Sequence, residues 1–129
     1  MCPDPDFLRP EQAYQISGQI LIGPEVPHIR AATLHIYLED ITVQDSDAFP
    51  VAGSIIPGIS HEPGHDDHHP FVLNFMAALD ERADYALRAH LDLTGDTEIK
   101  TGDCITTQNY PVLTFGHPTT DLLLRLHQI

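Results

Sequence analysis

The chain reads as all-β, specifically a single-domain antiparallel β-sandwich of seven or eight strands. Apolar and polar residues alternate in short segments, the period of two that sets one side of a strand against a core. Gly, Pro and Asp turns separate these segments at close intervals, and no segment carries a sustained helical period. At 129 residues and 42% hydrophobic content the chain is long enough for one core, without a disulfide framework or structural metal.

Residues 1–14 hold Pro3, Pro5 and Pro10 among acidic residues and read as an extended tether, leaving residues 15–129 as the sandwich domain. The first strand alternates Ile16, Gly18, Ile20 and Ile22 with Gln15, Ser17 and Gln19, and ends at Gly23-Pro24. From Thr33 to Thr42 the alternation is clearest. Leu34, Ile36 and Leu38 share one face; Thr33, His35, Tyr37 and Glu39 share the other, which is expected to be outer and solvated.

Gln44–Asp47 makes a polar turn. The segment from Val51 to Ile59 is interrupted by Gly53, Pro57 and Gly58, so it suits an edge or bulged strand. A polar loop is expected over 60–70. Phe71, Leu73, Phe75 and Ala77 then alternate with Val72, Asn74 and Met76. Asp80–Asp84 suits a short turn, and Tyr85–Leu93 is a strand with Ala86, Arg88, His90 and Asp92 in its second phase. Gly95 and Gly102 bracket a hairpin-like stretch around Thr97–Lys100; Ile105–Thr114, broken by Pro111, and Leu122–His127 complete the set.

Charge narrows the function. Nineteen acidic against six basic residues leave a net charge of −13, so a nucleic-acid or anionic-membrane partner lacks the basic face it needs. No run of 18 apolar residues and no signal-peptide core occurs in the sequence. Cys2 is the candidate site of lipid attachment, the only membrane link expected. The expected localisation is periplasm or outer membrane if a signal peptide has been removed, and cytoplasm otherwise.

Enzyme templates are absent. Ser17, Ser46, Ser54 and Ser60 lie outside any nucleophile-elbow context, Cys104 has no base nearby in sequence, and Lys100 is the only lysine. No catalytic residue and no organic cofactor is expected. Cys104 reads as a buried small hydrophobe.

One segment carries ligand chemistry. His61-Glu62-Pro63-Gly64-His65-Asp66-Asp67-His68-His69 places imidazoles and carboxylates in one stretch, and Gly64 allows it to fold back. His61, His65, Asp66, His68 and His69 are the candidate metal ligands, and imidazole with carboxylate suits Zn, Cu or Ni.

Two stretches carry a family resemblance. Tyr85-Ala86-Leu87-Arg88-Ala89 leads to Tyr110-Pro111-Val112-Leu113-Thr114 and Gly116, while Ile16-Ser17-Gly18 and Leu34-x-Ile36-x-Leu38-x-Asp40 occupy the first half. This resembles the YbaY/YscW family of small bacterial lipoproteins over about residues 15–127. The resemblance implies a β-sandwich anchored to the envelope by an N-terminal lipid. It also implies a non-catalytic role: one branch of the family consists of pilotins, chaperones that help outer-membrane secretin rings assemble in type III secretion. The expected function is therefore a binding or assembly-assisting module, reaching a protein partner through loops or an exposed edge strand. The alternative is metal binding by the His-rich segment. A pilotin role asks for an exposed apolar groove, and no surplus apolar face stands out from the sequence.

Overall fold

The structure is a computed structural model that describes residues 11–42 and 49–129. Most of the tether, with Cys2, and the turn at 44–47 lie outside the described residues. Eight strands follow one another: β1 (Gln12–Ile22), β2 (Ile29–Asp40), β3 (Phe49–His61), β4 (Asp67–Ala77), β5 (Tyr85–Asp92), β6 (Cys104–Ile105), β7 (Tyr110–Val112) and β8 (Leu122–Gln128). The all-β class is as expected.

The arrangement departs from a simple antiparallel sandwich. The strands form one continuous sheet in the order β3-β2-β5-β6-β8-β1-β4, with β7 also paired to β5. β3 and β4 stand at opposite ends of that order, yet only residues 62–66 connect them. The sheet must therefore curl until its two edges approach, which gives a nearly closed barrel. It is also mixed, because β1 and β8 run parallel, with Gly18 opposite Leu122 and Ile22 opposite Leu126.

Gly18 makes that parallel pairing possible. A Cβ at this position would lie 2.3 Å from the Leu122 carbonyl oxygen. No side chain fits that gap, so the close approach of β8 requires glycine.

The strand phases land as the alternation predicts. Ile16, Ile20, Leu34, Ile36, Leu38, Leu87, Leu91, Leu124 and Leu126 are fully buried in one core. Each such side chain contributes roughly 1.5–3 kcal/mol of hydrophobic stabilisation. Tyr110 sits half-buried against this core, and its hydroxyl accepts the Arg125 N–H at 2.9 Å. Cys104 is fully buried, and burial, with Asp103 and Glu25 adding to it, pushes its thiol up to about 11, as suits an inert hydrophobe.

Several boundaries shift. β1 begins at Gln12, inside the segment expected to be tether, because Gln12–Ile22 pairs along its whole length with β4. The loop expected over 60–70 shrinks to 62–66, as β3 continues to His61 and β4 starts at Asp67. No strand forms around Thr97–Lys100. β3 is an edge strand, and its register with β2 slips at three places, as its glycines and prolines suggested.

Candidate functional site

The His-rich segment is divided among three environments. His61 is the last residue of β3 and is buried: its Nδ1 lies 2.5 Å from Asp67 Oδ2, and its Nε2 donates to the Val26 carbonyl at 3.0 Å. The Glu62 N–H also points to Asp67 Oδ2, and the Gly64 N–H donates to the Pro24 carbonyl. His61 thus fastens the β3–β4 turn to the turn between β1 and β2. Burial acts to raise the Asp67 carboxyl, but the His61 hydrogen bond, the Glu62 N–H and the charges of His65 and His61 outweigh it and hold the group below its usual range.

His65 stands exposed on the turn, its Nε2 3.4 Å from Asp67 Oδ1. Asp66 is exposed beside it. His68 and His69 lie on β4 and, by strand alternation, point to opposite faces. The expected ligand set therefore does not converge: His61 has both ring nitrogens engaged, and the pleat sends His68 and His69 apart. Cys2 is outside the described residues.

A different cluster converges instead. His35 and His90 are register partners on β2 and β5, with ring centroids 5.7 Å apart. Both occupy the outer phase, as expected, yet both are buried. Asp92 and Asp103, at the ends of the segment 93–102, are buried with them and hold that segment in place.

Asp92 Oδ1 accepts the N–H groups of Thr94 and Gly95, and its Oδ2 accepts that of Thr97 at 2.8 Å. Asp103 Oδ1 accepts the Leu93 N–H; its Oδ2 accepts the Lys100 N–H and lies 2.8 Å from His90 Nε2. Burial acts to raise the Asp92 carboxyl. The N–H groups of Thr97, Gly95 and Thr94, with the charge of His90, override it and hold the group at about 2. Thr97 adopts φ 67°, a conformation costly for a β-branched residue, so the bond from its N–H to Asp92 helps hold a strained turn.

Beyond His35 the same outer face continues as a polar stack. Tyr37 lies 6.1 Å from the His35 ring, Arg88 sits 4.4 Å over Tyr37, and Arg88 grips Glu39 through two bonds of 3.1 Å. A paired fork of this kind orders the face better than the exposed Arg125–Glu25 contact, which is worth at most about 1 kcal/mol.

The opposite wall of the barrel carries an open groove. β1 runs between β4 and β8 and presents Ser17, Gly18 and Gln19 there, with Ser17 opposite Val72, Gln19 opposite both Pro70 and Leu123, and Gly18 opposite Leu122. The result is a cleft of about 540 Å³, floored by Ser17–Gln19 and walled by Pro70 and Val72 on one side and Leu122 and Leu123 on the other. Val72 is 51% exposed and Leu123 48%; Met76 extends the same face of β4 at 58%. The sequence shows no surplus apolar face because these residues belong to distant strands and are each isolated in their own segment. Val72 and Met76 in the polar phase of β4 are the signal that was available.

The fold and this groove define a small all-β domain whose open site is a trough over β1 with apolar residues on both walls and His68 and Asp121 among its lining. The chain belongs to the YscW family, described as type III secretion system lipoprotein chaperones, whose family model matches residues 11–124. Its fold is similar to that of an alternative pilotin from the type II secretion system of Vibrio cholerae, with a TM-score of 0.67, 17% identity, and coverage of 92% of this chain and 100% of that one. A comparison with curated protein sequences returned no match.

Proposed function

We propose that this chain is a non-catalytic chaperone module of the bacterial envelope that holds an apolar segment of a secretin subunit in the β1–β4–β8 groove. Two exposed apolar residues on the two sides of that groove, Val72 opposite Ser17 and Leu123 opposite Gln19, carry the reading. Contiguous apolar exposure on a soluble surface marks an interaction site, and a cleft of this size accommodates a few side chains of a partner. The family is one of lipoprotein chaperones, which supports assembly assistance over catalysis and an envelope setting. A net charge of −13 favours a partner segment whose apolar residues are interleaved with basic ones and disfavours nucleic acid.

Lipid on Cys2 would hold the module at the outer membrane. The His-rich segment does not compete with this reading, because His61 serves the β3–β4 turn.

The test is co-expression with the secretin of the same genome. The chain is expected to raise the fraction of secretin recovered as outer-membrane multimers, and Cys2→Ser is expected to move the chain out of the membrane fraction. Secretin multimers that form equally well with and without the chain would overturn the proposal.

A further inference from the structure

We propose that His35, His90, Asp92 and Asp103 form a binding site for one divalent transition-metal ion of the zinc class. This site is separate from the groove and from the His-rich segment. Ligand atoms of His90, Asp92 and Asp103 all lie within 4.8 Å of one another, and all three residues are buried. His35 supplies the independent observation. Its Nε2 is buried, has no hydrogen-bond partner, and points at Asp92 Oδ2 from 3.6 Å.

A buried imidazole nitrogen with no partner is costly, and a metal ion would satisfy it. Three donors, from His90, Asp92 and Asp103, are close enough to share one ion; bonds of about 2.0 Å put neighbouring donors of a tetrahedral site roughly 3.3 Å apart, and His90 lies 2.8 Å from Asp103. His35 stands outside that group, its Nε2 3.6 Å from Asp92 Oδ2, and is the fourth donor of the proposal, reached by a small turn of its ring.

Holding the turn 93–102 does not exhaust these carboxylates. Asp92 Oδ1 and Asp103 Oδ1 accept the N–H groups of Thr94, Gly95 and Leu93, whereas each Oδ2 accepts a single N–H, of Thr97 and Lys100 respectively, and turns its other lone pair toward the histidines. That is the division expected of a metal site, in which outer hydrogen bonds orient each carboxylate while one oxygen faces the ion. Two carboxylates with two neutral imidazoles also balance the charge of a divalent ion, and two imidazoles favour zinc, nickel or copper over magnesium or calcium. A cleft of about 480 Å³ lined by His35, Tyr37, Ile55 and Thr97 reaches His35 from solvent and offers a way in.

The test is titration of the full chain with Zn(II) by calorimetry and with Co(II) by visible absorption. One Zn(II) per chain and an intense tetrahedral Co(II) band are expected. His35→Phe, which fills the site without offering a ligand, and the milder His35→Gln should each weaken Zn(II) binding at least about tenfold. The triple variant His65→Ala/His68→Ala/His69→Ala should leave it within about twofold. Melting curves of the metal-free variants confirm that each folds, and Zn(II) should raise the melting temperature of the wild type but not of a folded His35 variant. Absence of stoichiometric binding would overturn the proposal, as would binding that survives in a folded His35 variant or is lost in the triple variant.

Discussion

His35 and His90 face each other across β2 and β5 with ring centroids 5.7 Å apart, and both are buried on what is formally the outer side of the sheet. Their burial comes from the turn 93–102, which Asp92 and Asp103 clamp at its two ends through the N–H groups of Leu93, Thr94, Gly95, Thr97 and Lys100. Two carboxylates thus replace a strand pairing as the structure of this segment.

Asp92→Ala removes the acceptor for three backbone N–H groups at once. Each N–H left unpaired in a buried setting costs about 1–3 kcal/mol, partly relieved where the opened turn admits water. The expected loss is about 2–4 kcal/mol in denaturant unfolding, with faster amide exchange at residues 94–97 and unchanged exchange in β1.

Acid should act through the same group. The folded Asp92 sits at about 2 against a usual 3.8, so the folded state binds fewer protons than the unfolded chain across that interval. The stabilisation is fully present above about pH 4 and is lost as pH falls from 3.8 toward 2. Urea midpoints of wild type and Asp92→Asn should therefore converge over that range; a constant gap between them would show that Asp92 is not the group responsible.

Gly18→Val drives methyl groups into the Leu122 carbonyl, where even a Cβ would lie 2.3 Å away. Overpacking against backbone costs typically 1–3 kcal/mol and often more when backbone must move. The parallel β1–β8 pairing should loosen, read as a lower melting temperature with accelerated amide exchange across residues 122–126. Gly64→Ala, at an exposed turn where a Cβ meets nothing within 4 Å, should cost less and only through its positive φ.

His61→Ala deletes the contacts to Asp67 and to the Val26 carbonyl and leaves a cavity at a fully buried site. About 2–4 kcal/mol is expected. Asp67→Asn should cost less, and the double variant should fall short of the sum, because the two residues share one interaction.

Much of this fold is legible in the residue order, and what is not has a physical reason. The core phase of β2, with Leu34, Ile36 and Leu38, follows from local alternation, and so does the edge character of β3 from Gly53, Pro57 and Gly58. Closure of the sheet is not local: it depends on β8 returning beside β1, for which Gly18 is the single clue. His35 and His90 sit in the expected phase, but whether an outer face is wet depends on what folds over it. That cover, residues 93–102, has turn composition and no period. Its signal is the pair of aspartates at its ends. The His-rich segment misled because spacing within a loop was read where two strands meet, and the pleat separates residues that are adjacent in the chain.

The groove reading rests on Val72 and Leu123 being free surface rather than core support, so exchanging them should change binding and not folding. The direct measurement is titration of the folded chain with peptides that together cover the apolar segments of the secretin from the same genome, for wild type and for Val72→Asp/Leu123→Asp. Stability of the variant should stay within about 1 kcal/mol of wild type, since both side chains are about half exposed. The account predicts saturable binding by the wild type and at least a tenfold weaker affinity in the variant. Equal affinity in the two proteins, or no binding by the wild type, would contradict it.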